Sequence, residues 1–243
     1  MVFPHGGAVA IWRALNGPND DGLPEDAAYN PKKDQIRAWG LAVEAVIENI
    51  VQSPSELLEE TGLNFDEGDK IQSVSPSCVW LVAADDAKDH HVENAAGKKF
   101  YVLPGENGYN VKAFGAKGDG STDDSAAIKA AFTATVKNQI TSVMNPSNPA
   151  SPNSIYFPGG EYIINSARSL MDAVSGVTRR MGVTYRGDGA ATTIHFAYDG
   201  DDYLCYNPNT FLLTRFENLF FTCDSDTSKF MFVNASGGAQ EVL

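Results

Sequence analysis

Three carboxylates crowd a glycine-rich stretch of this sequence: Asp119 between Gly118 and Gly120, then Asp123 and Asp124 after Ser121 and Thr122. Paired acids perform glycoside hydrolysis, but only when they face one bond from opposite sides of a groove. Here they follow one another along a turn that leads into Ala127, Ile128, Ala131 and Phe132, spaced as one face of a helix. Thr122 or Asp123 can accept from the first N–H groups of that helix, and acids in its first turn suit the positive end of its dipole. The acids are therefore read as caps and the glycines as turn formers. A phosphate loop is excluded, because the Lys-Ser/Thr that should follow a second glycine is missing and the acids would repel phosphate.

Other chemistry is sparse. No Gly-x-Ser-x-Gly elbow supports a serine nucleophile. His195 sits in an alternating run, where it is either a base or, more simply, a surface residue. His90 and His91 are adjacent, so on a strand they point to opposite faces, and no third ligand stands at a useful spacing. They are expected to be solvent-exposed. Cys78, Cys205 and Cys223 are odd in number and lack Cys-x-x-Cys spacing, so they are expected to be buried small hydrophobes. No metal or cofactor is expected.

The elements that would position these residues follow from composition. Eighteen Lys and Arg against 31 Asp and Glu give a net charge of −13, which excludes the basic face of a nucleic-acid binder. A hydrophobic fraction of 43% is enough for a core. The longest apolar runs, such as Cys78 to Ala84, fall far short of the roughly 18 to 20 residues that cross a bilayer, so no membrane insertion is expected. Met1-Val2-Phe3-Pro4-His5 lacks the basic and apolar regions of a secretion leader.

Residues 1–31 are punctuated by glycine and proline and read as an extended arm, with at most a short helix over Ala8 to Leu15. Over 32–52 the apolar residues Ile36, Trp39, Val43, Val46 and Ile50 recur at spacings of 3, 4, 3 and 4, the seam of a coiled coil. So wide a stripe has to be buried, and self-association about an axis is the economical way. Ser53-Pro54 ends that helix, and a short one can follow from Pro54 to Thr61. Residues 53–104 read as a small β-rich module with strands at Cys78 to Ala83 and Lys99 to Leu103. From Tyr109 a short strand through Val111 and Ala113 is expected to enter the acidic turn.

The segment Asn110-Val111-Lys112-Ala113-Phe114-Gly115-Ala116-Lys117-Gly118-Asp119-Gly120, continuing through Asp123-Asp124 to Ile128, resembles the opening of right-handed parallel β-helix proteins of the pectate-lyase and polygalacturonase type, as found in bacteriophage tailspikes. The resemblance implies that the motif Phe114, Gly115, Gly118, Asp119, Gly120, Asp123 and Asp124 starts a solenoid and that its helix covers the N-terminal end. Ser154 to Ile164, Gly182 to Gly189, Thr193 to Phe196 and Phe216 to Phe221 look like successive rungs of 105–243. In such enzymes the catalytic acids lie on later rungs.

Arm, coiled coil, module and β-helix in that order resemble a tailspike. The resemblance implies a homotrimer joined along 32–52, a virion-attachment arm using Phe3, Ile11, Trp12 and Leu15, contact with phage tail, baseplate or adaptor proteins, and a body that binds host-surface polysaccharide. It also implies assembly in the host cytoplasm and residence in the virion tail. The rung at Phe230 to Val233 precedes a polar tail without a cap, so more chain, or another subunit, is expected to cover it. The alternative is a polysaccharide depolymerase acting on its own.

Overall fold

A computed structural model describes residues 49–59, 61, 65–143, 154–173, 179–181, 183–207, 210–212, 214–224 and 228–233. The chain divides after Ile50, and the described residues belong almost wholly to the unit Val51–Leu243.

The fold is mainly β. Strands β1 (Ile50–Val51), β2 (Lys70–Ser73), β3 (Val79–Val82), β4 (Val92–Glu93) and β5 (Lys99–Leu103) form one sheet in the order β1-β2-β3-β5-β4. β2–β3, β3–β5 and β4–β5 are antiparallel. One face of this sheet is apolar, with Ile71, Trp80, Val82, Phe100 and Val102 buried in alternation. The last residues of the helix expected over 32–52 are not helical: Ile50 and Val51 are extended, and the Val51 carbonyl accepts from Val74 N. Two β-branched residues ahead of Ser53-Pro54 favour that conformation. Helix α1 (Pro54–Glu59) follows.

The rest is a parallel β-helix. β6 (Tyr109–Asn110) and β7 (Asp119–Asp123) open it, and helix α2 (Ser125–Val143) follows. β8 (Ser154–Phe157), β9 (Gly160–Ile164) and β10 (Arg179–Met181) make the next turn. β11 (Thr184–Gly187), β12 (Thr192–Phe196), β13 (Tyr203–Asn207) and β14 (Thr210–Leu212) make another, and β15 (Arg215–Glu217), β16 (Phe220–Cys223) and β17 (Lys229–Val233) the last described. One wall stacks in the order β15-β11-β8-β6, a second β16-β12-β9-β7, and β13 pairs with β17. Every pairing in these walls is parallel.

Stacking in register builds the core as columns. Tyr109, Ile155, Tyr185 and Phe216 form one, and Tyr162, Ile194 and Phe221 another. Ile164, Phe196 and Cys223 form a third. Cys78 and Cys205 are buried as expected, whereas Cys223, the last described residue of its column, is exposed. No helix among the described residues is long and apolar enough to cross a membrane.

The apolar core runs without interruption from the antiparallel sheet into the solenoid. Trp80 donates its indole N–H to the Ala113 carbonyl at 2.9 Å, and Lys117 reaches Ser55 and Glu59 of α1. Ile128, Ala131 and Phe132 of α2 are fully buried, as the helical spacing required.

Candidate functional site

The acidic motif lies on the first turn of the solenoid, between β6 and α2. The expected strand through Val111 and Ala113 is instead a 3-10 turn, Val111–Phe114: the Asn110 side chain accepts from Lys112 N and turns the chain, while Val111, Ala113 and Phe114 go inward. Gly115 ends that turn at φ 103. Gly118, at φ 61, has no room for a side chain, since a Cβ there would stand 2.8 Å from the Tyr162 ring.

The helix begins at Ser125, one residue beyond the acids expected in its first turn, and Asp119 to Asp123 are strand β7. Asp119 folds over its own turn, accepting from Ser121 N and Thr122 N at 2.9 and 2.7 Å and from both hydroxyls. These bonds, Thr122 N first, hold its carboxyl well below the usual range. Asp123 accepts from Ser125 N at 3.0 Å, at the start of α2, and from Asn165 N on the next turn at 3.3 Å. Asp124 is 1% exposed, and its two oxygens take Lys117 N and Gly118 N at 2.7 and 3.1 Å. Tyr162, whose ring lies against Gly118, is fully buried. The acids are engaged by backbone N–H groups, and they hold the turn that precedes the helix.

Phe3, Ile11, Trp12, Leu15, Ile36, Trp39, Val43 and Val46 lie outside the described residues. Ile50, the last of the seam series, is 45% exposed on β1. His91 corrects the expectation of an exposed pair: it is half-buried among Tyr101, Tyr109 and Phe114, its Nδ1 accepting from Val102 N at 3.1 Å. That burial lowers its pKa. His90 is half-buried too, with Nε2 3.7 Å from Glu93.

The outer faces carry groups that the sequence does not show as neighbours. On the first wall Asn110, Tyr156, Arg186 and Glu217 stack in register. Arg186 gives Nε and Nη2 to the same Glu217 oxygen at 3.1 and 3.0 Å. Tyr156 donates its hydroxyl to Asp188 at 2.9 Å, and Asp188 also accepts from Gly159 N at the corner between the walls.

On the second wall His195 lies between Thr222 and Asp224. Nε2 is 3.0 Å from the Asp224 carboxylate and Nδ1 is 2.8 Å from the Thr222 hydroxyl. With Nε2–H donating to Asp224, Nδ1 accepts from Thr222, which is a carboxylate–imidazole–hydroxyl relay able to move a proton. Near β13 Arg168, at φ 58, donates to Asp202 at 2.8 Å and lies 3.9 Å over the Tyr206 ring, while Asp172 pairs with Lys129 of α2 at 2.8 Å. Each of these contacts joins residues far apart in the chain, so knowledge of the rung register alone reveals them. Aromatic faces, hydroxyls and paired charges in rows suit a ligand that repeats along its own length.

Residues 108–221 match the family model described as rhamnogalacturonase A/epimerase, pectate lyase-like. Alginate lyase 7 of Azotobacter vinelandii is 36% identical over 94 residues, 39% of this chain and 9% of that protein. Mannuronan C5-epimerase AlgE4 of the same organism is 35% identical over 94 residues, 39% of this chain and 14% of that one. Among solved structures, Pantoea stewartii WceF, described as a glycan biofilm modifying enzyme with a bacteriophage tailspike-like parallel β-helix fold, superposes with a TM-score of 0.44 at 16% identity, over 75% of this chain and 26% of that one. ORF18 of Geobacillus virus E2 gives 0.35 at 18% identity, over 75% and 35%. The chain thus spans only 9 and 14% of the two curated relatives named.

Proposed function

We propose that this chain is the N-terminal part of a homotrimeric phage tailspike, in which 1–31 attach to the tail, 32–49 join three copies, and the β-helix begins a body that binds host-surface polysaccharide. The observation that carries the glycan-binding part is the match of 108–221 to a pectate lyase-like family together with the outward ladder Asn110, Tyr156, Arg186 and Glu217. The seam Ile36, Trp39, Val43 and Val46 supports self-association by its spacing.

Sedimentation tests the trimer. The chain should sediment as a trimer at micromolar concentration and Val43→Asp as a monomer, because three carboxylates would meet at the axis; a stable wild-type monomer refutes it. Removal of residues 2–31 should leave soluble trimers that fail to join particles, and normal incorporation refutes the attachment role.

A second reading, that the chain itself modifies the glycan, is supported by the His195 relay. Appearance of new reducing ends, or of an unsaturated product, on incubation with host polysaccharide would favour it, provided that His195→Ala abolishes the reaction.

A further inference from the structure

We propose that the cavity between the antiparallel sheet and the first rung is a subsite for one residue of an uncharged glycan. The inference rests on the glycan-binding role above and deepens it, by assigning a place and a ligand class. The cavity has a volume of about 190 Å³, below the roughly 300 Å³ at which pockets for larger small molecules begin, and a size suited to a single sugar ring. Its walls come from three places: Ser77 to Val79 before and on β3, the Leu103 to Gly108 turn after β5, and Asn110 with Tyr156 on the solenoid wall.

The chemistry of these walls matches a sugar. Tyr156 supplies an aromatic side chain for the C–H face of a pyranose, and its hydroxyl is tied to Asp188, which fixes it. Asn110 has its Oδ1 committed to Lys112 N, which leaves its Nδ2 to donate. Glu106 and Asn107, exposed at the tip of the turn, can accept from hydroxyls. Beyond the cavity the ladder passes from Tyr156 to Arg186 and Glu217 in register, so a chain leaving it has a track to follow.

Charge decides the class of sugar. Among the described residues lining the cavity Glu106 alone is charged, and no Lys, Arg or His lines it to pair with a uronate, sulfate or phosphate, Lys112 acting only from beside it on Cys78. Arg186, the nearest cation on the track, is already paired with Glu217. The whole chain carries −13, which repels a polyanion at long range. A glycan bound by hydroxyls and a ring face escapes both penalties.

Affinity electrophoresis of the full chain through gels containing neutral polysaccharides (dextran, galactomannan, glucomannan) or polyuronates (alginate, polygalacturonate), at low and high salt, tests this. Retardation by a neutral matrix that is unaffected by salt is expected, with none by the polyuronates. Tyr156→Ala and Ser77→Trp, the second filling the cavity from its exposed rim, should each weaken retardation by about tenfold or more. Thr193→Trp, on the second wall, should not. Retardation only by polyuronates, or neutral binding lost in Thr193→Trp but kept in Ser77→Trp, overturns the subsite while glycan binding stands. No retardation by any matrix overturns both.

Discussion

Asp124 accepts a hydrogen bond from the backbone N–H of Lys117 at 2.7 Å, reaching back across the glycine turn instead of forward into the helix that follows it. The same side chain takes Gly118 N, whereas Asp123 takes Ser125 N at the helix start. Two adjacent acids therefore hold different structures. Asp124→Ala strands two N–H groups around a buried site and should cost about 2–3 kcal/mol. Asp123→Ala removes a cap and should cost about 1 kcal/mol. Urea unfolding of both variants checks the order, and glycan binding by either should survive.

The two acids should also respond to pH with opposite signs. Burial pushes Asp123 up, but the bonds from Ser125 and Asn165 outweigh it and leave its pKa lowered. Burial raises Asp124 despite its two N–H donors, with the charges of Asp119 and Asp123 adding to the rise. A group depressed by folding stabilises above its unfolded pKa, and that contribution is lost as pH falls through the folded value; a raised carboxylate favours the fold increasingly as pH falls from its folded value towards its unfolded one. The destabilisation by Asp123→Asn should therefore shrink as pH falls through the carboxylate range, and that by Asp124→Asn should grow. Parallel pH trends for the two would contradict this assignment.

The sequence made some of this legible and concealed the rest for physical reasons. The buried face of α2 could be read because helical spacing is local, and the strands at 79–82 and 99–103 because alternation is local too. Val111 and Ala113 misled because an inward pair two residues apart fits a strand or a tight turn equally, and the Asn110 side chain decided between them. The division between Asp123 and Asp124 depends on which carboxylate the fold buries. His195 with Asp224, and Tyr156 with Asp188, meet through stacking and a corner turn, and no short-range pattern encodes either.

Two neighbouring glycines at the corner of β11 are needed for different reasons. A Cβ on Gly187 would stand 2.5 Å from the Asn218 carbonyl of the next rung, while Gly189 has open space but φ 70. Gly187→Ala should cost roughly 1–3 kcal/mol through forced separation of rungs. Gly189→Ala should cost about 1 kcal/mol through backbone strain alone, and Gly189→Asn less, because Asn tolerates that region. Thermal unfolding of the three variants checks this, and an unaffected Gly187→Ala would mean that the rungs are not so closely stacked.

The contact from Trp80 to Ala113 predicts that the antiparallel sheet and the solenoid unfold together. Trp80 is fully buried, its ring lies in the core that both parts share, and its N–H satisfies a carbonyl on the solenoid's first turn. Trp80→Phe removes that bond and leaves the Ala113 carbonyl short of a partner, at about 1–2 kcal/mol. Trp80→Ala adds a cavity, for about 3–5 kcal/mol in all. Hydrogen exchange followed by mass spectrometry gives the decisive readout. In both variants protection should fall by the same free energy in peptides covering 79–82 and 99–103 as in those covering 109–114 and 154–157, because one core holds them. Loss confined to 79–103 would show that the sheet is an independent module that merely rests on the β-helix, and the shared core would then contribute little cooperativity.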